Sequence, residues 1–78
     1  MIHLQSVGEV NSVKVSELKV NDVVMFNFGI TETVISFGKE TAKFIEITFL
    51  SNETNTLTTV KYKKDKEVCR VLSYGESL

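Results

Sequence analysis

Residues 13–28, which read VKVSELKVNDVVMFNF, constrain this chain more than any other stretch. Val13 and Val15 alternate with Lys14, the period-2 signature of a strand with one buried face. Leu18 and Val20 again lie two apart, placed to turn inward beneath a corner at Asn21-Asp22. Asparagine is the non-glycine residue that best tolerates a left-handed backbone, and an aspartate carboxylate can bond back to nearby amides. Residues 23–28 then carry apolar groups on both faces early and on one face late, as a central barrel strand does. Such a corner between two strands organises a fold and carries no chemistry of its own.

Composition extends this to the whole chain. Val, Ile and Thr supply 24 of the 78 residues, against one alanine. Their branched side chains suit a pleated surface and lose freedom in a helix. The expected class is therefore all-β, a small five- to six-stranded, partly open barrel. A chain of this length makes one domain, whose core supplies roughly 3–5 kcal/mol. Oligomerisation is a natural source of further stability at that size.

Residues 1–12 are compatible with an N-terminal arm and with a short edge strand, since Ile2 and Leu4 alternate with His3. The barrel is expected to occupy 13–72. Gly29 permits a turn after the apolar run. A strand follows over 30–37, with Thr33, Ile35 and Phe37 on one face and Glu32, Val34 and Ser36 on the other. Residues 38–41 read as its turn. In 42–50, Ile45, Ile47 and Phe49 share a face opposite Glu46 and Thr48. A polar loop over 51–55 leads to a paired strand in which Thr58, Val60 and Tyr62 alternate with Thr59 and Lys61. Lys63 to Lys66 suit a single 3₁₀ turn, 67–72 a last strand, and 73–78 a tail. The expected core is Val15, Leu18, Val20, Val24, Phe26, Ile35, Ile45, Ile47, Val60 and Val71. The five phenylalanines belong mostly to that core, but Phe44 and Phe49 have opposite parity on one strand, so one of them must look outward.

Several chemistries lack their residues. With one cysteine and one histidine, Cys69 and His3, there is neither an internal disulfide nor a metal-ligand set. Cys69, between Val68 and Arg70 and close to Val71, reads as a small buried hydrophobe. The acids are scattered singly, and the four glycines are too far apart for a phosphate-cradling loop. No enzyme and no cofactor are expected. The N-terminus has no secretory pattern and no apolar run approaches a membrane span, so the expected location is cytoplasmic, without membrane contact.

The phrase SELKVNDVV at 16–24 is similar to the Leu-x-Val-Gly-Asp-x-Val opening of KOW-type and Hint-type β modules. With two short hairpins and a turn before the last strand, residues 13–72 resemble the Src-homology-3-like small barrels, including those encoded by phages and mobile elements. Asn21 stands where glycine is usual and can hold the same left-handed corner. Hint-type splicing chemistry is not implied: no nucleophile heads the module, and the one histidine precedes the barrel.

Charge is distributed unevenly. Residues 1–60 hold four lysines against seven acids, whereas 61–78 hold Lys61, Lys63, Lys64, Lys66 and Arg70 against three. On neighbouring strands, these five would form one basic patch, with Phe44, Tyr62 and Tyr74 as candidate aromatic contacts. The competing reading is a solvated turn with lysines that guard an edge strand. The net charge of −1 argues against bulk electrostatic attraction to nucleic acid. The expected function is a non-enzymatic module that docks a protein partner, such as a host defence or housekeeping enzyme inhibited by a phage protein. The alternatives are a KOW-like nucleic-acid-binding barrel and a structural subunit that works as a homo-oligomer.

Overall fold

The corner is a four-residue turn. The Asp22 amide donates to the Lys19 carbonyl at 3.0 Å, and Asn21 adopts the left-handed conformation with φ 77°. A positive φ at the third position is what a type II turn requires. The Asp22 carboxylate folds back to accept the Lys19 amide at 2.9 Å. Val20, expected in the core, sits at the tip of this turn and is 44% exposed, because the carboxylate of Asp22 takes the inward position instead.

Around this corner the computed structural model, which describes residues 1–72, places eight strands and no α-helix. They are β1 (Ile2–Leu4), β2 (Gly8–Val10), β3 (Val13–Lys14), β4 (Val23–Met25), β5 (Thr31–Glu40), β6 (Phe44–Ser51), β7 (Leu57–Lys63) and β8 (Glu67–Leu72). The first two form a separate hairpin, and the other six form one antiparallel sheet in the order β3-β8-β4-β5-β6-β7. The chain is thus all-β, and the sheet curls without closing. Its two ends are laced instead through turns. The Val15 amide donates to Lys66 O at 2.8 Å and the Ser16 amide to Lys64 O at 3.0 Å. Among the described residues, no helix is long and apolar enough to cross a membrane.

Val15 leaves the strand it was expected to occupy and opens a 3₁₀ turn, Val15–Glu17, closed by the Leu18 amide on Val15 O at 3.0 Å. The 3₁₀ turn expected at 63–66 is a tight reverse turn, in which the Lys66 amide donates to Lys63 O at 3.1 Å.

The core contains Val15, Leu18, Val24, Val34, Ile47, Phe49 and Val68, with Phe26, Phe37, Ile45, Val60 and Tyr62 packed against it. Two register shifts explain where it departs from simple alternation. On β5, Val34 faces Phe49 and Ser36 faces Thr48, so Ile35 is an extra residue in a β-bulge. The bulge brings Val34 and Phe37, three apart, to the same face and turns Ile35 outward at 38% exposed. On β8, the register passes from Arg70 opposite Val24 to Leu72 opposite Val23, which leaves Val71 out of the ladder and 46% exposed. Strand β6 keeps its alternation: Phe49 is buried and Phe44 is the outward ring.

β5 also runs through the turn expected at 38–41, and the chain reverses at 41–43. The Thr41 hydroxyl accepts the Phe44 amide at 3.1 Å there. Gly38 lies within the strand close against Glu46, where a Cβ would approach Glu46 Oε1 to 2.9 Å.

Candidate functional site

A concavity of about 540 Å³ lies between the N-terminal hairpin and the sheet. It starts from the Asn27–Gly29 turn, where Asn27 and Gly29 stop the apolar run and leave Phe28 between them. Phe28 adopts φ 66° and is 61% exposed, although the sequence suggested a core residue. A left-handed conformation costs a non-glycine residue about 1–2 kcal/mol. Two bonds to the hairpin hold it there. The Phe28 amide donates to Gln5 O at 2.7 Å, and the Gln5 amide donates to Asn27 Oδ1 at 2.9 Å.

Below Phe28 the groove is walled by Ile2 and Leu4 of β1, by Met25, Phe26 and Ile30, and by Val68. Phe26 packs edge-on against the buried Phe49, with centroids 5.7 Å apart, and Phe49 does the same with Tyr62 at 6.3 Å. These T-shaped contacts fix Phe26 and Tyr62 as rigid walls. Polar groups reach the groove from His3, Glu32, Tyr62, Lys66 and Glu67. Burial first, and then the negative charge of Glu32, raises the Tyr62 phenol above its ordinary pKa. The Lys66 ammonium lies 5.5 Å from the Tyr62 ring centroid. Glu67 accepts the Ser12 hydroxyl at 2.6 Å, and that bond, with the nearby N-terminal ammonium, lowers its pKa.

The basic residues singled out by the sequence do not share one surface. β7 is an edge strand paired with β6, while β8 lies between β3 and β4, so Lys61 and Lys63 are not on strands neighbouring Arg70. Lys61 and Lys63 share the outer face of β7, where the Lys61 ammonium sits 4.9 Å from the Phe44 ring centroid and Lys63 lies opposite Phe44. On an unpaired edge such lysines also discourage pairing with another chain. Lys64 makes an ion pair with Glu40. The Arg70 guanidinium is 3.7 Å from the carboxylate of Asp22, which is 0% exposed, so it faces the corner and not the lysines. Lys66 and Tyr62 alone of the candidates line the groove, and Tyr74 lies outside the described residues. A smaller hollow of about 380 Å³ gathers Lys43, Lys63 and Lys64 beside Asp65.

Sequence reasoning missed Phe28, Glu32 and His3 as members of one site. The signal for Phe28 was present in Asn-Phe-Gly, an apolar residue between two turn formers. For Glu32 it was hidden, because the Ile35 bulge decides which face of β5 points inward.

Cys69 is buried in β8, and burial raises its thiol pKa. It is expected to react slowly with a thiol reagent in the native protein and quickly in urea, since the thiolate is the reactive form. Fast native labelling would mean an accessible, activated thiol.

Comparisons with protein-family models, with curated proteins and with solved structures find no match to this chain.

Proposed function

We propose that this protein is a small non-enzymatic binding module that docks a segment of a partner protein in the groove beneath Phe28. The observation that carries this reading is Phe28 itself. A large apolar ring is held out toward solvent in a strained conformation, clamped by two hydrogen bonds at the mouth of a concavity with rigid aromatic walls. Strain of this kind persists where the surroundings over-determine it, and it gathers at ligand-binding positions. Aromatic residues are also the usual energetic anchors of protein interfaces. The Src-homology-3-like resemblance of 13–72 belongs to the same proposal, and its likeness to small phage barrels makes a host protein the intended partner.

Phe28→Gly separates fold from function. Glycine relieves the left-handed strain but adds about 0.5–1 kcal/mol of backbone entropy cost. The variant should therefore match the parent in stability within about 1 kcal/mol, while losing partners captured from a bacterial lysate. An unchanged set of captured proteins would refute the groove as the docking site.

The hollow at Lys43, Lys63 and Lys64 favours nucleic acid as a second reading. It predicts capture that nuclease abolishes, a steep loss of binding with salt, and indifference to Phe28→Gly.

A further inference from the structure

Glu32 stands apart from the other charged groups at the groove. Glu67, which also lines the groove, is engaged by Ser12 and by the N-terminal ammonium. The Lys66 ammonium lies over the Tyr62 ring and makes no ion pair with Glu32. Glu32 lies directly opposite the fully buried Val24 and two residues from the fully buried Val34, which places it on the inward face of the sheet. It is half-buried, it lines the groove, and no ion pair or side-chain hydrogen bond joins it to another described residue. A half-buried carboxylate that makes no ion pair keeps its charge available to a ligand that brings a cation into contact with it.

The walls around it fit the same ligand. Phe26, Phe28 and Tyr62 line the groove, and ring faces attract cations while accepting the alkyl stem of a long basic side chain. Lys66 already shows this chemistry on the Tyr62 ring. An acidic ligand would meet Lys66 at the Tyr62 side of the groove but would also have to approach Glu32, and a purely aliphatic one would bury its carboxylate further without compensation.

We propose that Glu32 is the specificity-determining residue of the groove, and that the partner segment inserts an arginine or lysine whose charge pairs with this carboxylate and whose stem lies against the aromatic walls. This rests on the docking reading above. Arginine is the better fit, because its planar fork can make two charge-assisted bonds to one carboxylate and still stack on a ring.

The test uses two blocked tripeptides, acetyl-Leu-Arg-Leu-amide and its citrulline counterpart, which keeps shape and hydrogen bonding but removes the charge. Each is titrated into the full-length chain and followed by amide resonances. The arginine peptide should shift the resonances of Phe28, Glu32 and Lys66 saturably. Affinity should fall on the order of tenfold or more for citrulline and for Glu32→Gln, the scale of a charge-assisted bond. Glu53→Gln, in the exposed 51–55 loop, should bind as the parent does. Glu32→Gln should also melt at the same temperature as the parent or higher, because it removes an uncompensated charge. Equal binding of the two peptides, or a Glu32→Gln variant that binds as well as the parent, overturns the charge preference. So does a lowered melting temperature, which would reveal an internal partner for Glu32. If Glu32→Gln captures the same Phe28-dependent partners from lysate, docking at the groove stands and the assignment of Glu32 falls. If neither peptide moves a groove resonance at millimolar concentration, the basic-side-chain proposal is overturned, whatever Phe28→Gly does to capture.

Discussion

Replacing Phe49 with alanine is expected to leave this chain largely unfolded at room temperature. Phe49 is the largest fully buried side chain among the described residues, and its edge-on contacts to Phe26, at the exit of β4, and Tyr62 of β7 tie the middle of the sheet to its β7 edge. Truncating a buried phenylalanine costs about 3–5 kcal/mol, from lost transfer energy and the cavity left behind. A core of this size supplies roughly that amount in total. The surrounding ladder cannot collapse to fill the space, because Phe49 is paired on both sides, with Val34 and with Thr58. Far-ultraviolet circular dichroism and amide-resonance dispersion should both report the loss. Ile47→Val, at a neighbouring buried position, provides a graded control and should cost about 0.5–1.5 kcal/mol while staying folded. A Phe49→Ala variant with parental dispersion would mean that the core is not organised around this ring.

The second large effect lies in the corner. Asp22 is the one fully buried charged side chain among the described residues, held by the Lys19 amide and facing Arg70. Replacing Arg70 with methionine removes the guanidinium from a carboxylate that cannot reach water. Breaking one side of a fully buried pair costs about 3–5 kcal/mol, and because the Arg70 side chain is 26% exposed and Asp22 keeps the Lys19 amide, the loss here should lie at or below the lower end of that range. Asp22→Asn should cost less, because asparagine retains an acceptor for the Lys19 amide and Arg70, partly exposed, can turn toward solvent. The double variant Asp22→Asn/Arg70→Met should be more stable than Arg70→Met alone, since the buried side chain then carries no charge. Urea denaturation of the four proteins closes the cycle and yields the coupling directly. Additive losses would show that the pair is incidental. A nearly unchanged Arg70→Met would return Arg70 to the pool of residues free to grip a partner.

Much of the architecture was legible in local patterns, because strand periodicity and turn chemistry act over a few residues. The left-handed corner at Asn21, the back-bonding carboxylate of Asp22, the polar 51–55 loop and the alternation of β6, with one of Phe44 and Phe49 turned out, all follow from neighbours in sequence. The site was much less legible. Tyr62 and Lys66 stood among the candidates for another reason, as members of a basic patch that sheet order then dispersed. Strand order assigns Arg70 to Asp22 and separates it from Lys61 and Lys63.

What the sequence determined by itself was the class: too many branched residues for helices, one apolar run broken at Asn27 and Gly29, and no cluster of ligating or nucleophilic side chains. What tertiary structure decided was parity and proximity. One extra residue at Ile35 and one at Val71 break the alternation of β5 and β8, and both of these expected core residues turn outward. A one-residue shift of register moves every later side chain to the opposite face, and nothing in a period-2 pattern announces where such a shift falls. The groove arises the same way. Its walls come from β1, from the turn after β4, and from β5, β7 and β8, segments that meet because the N-terminal hairpin folds over the sheet and is clamped through Gln5 to Asn27 and Phe28.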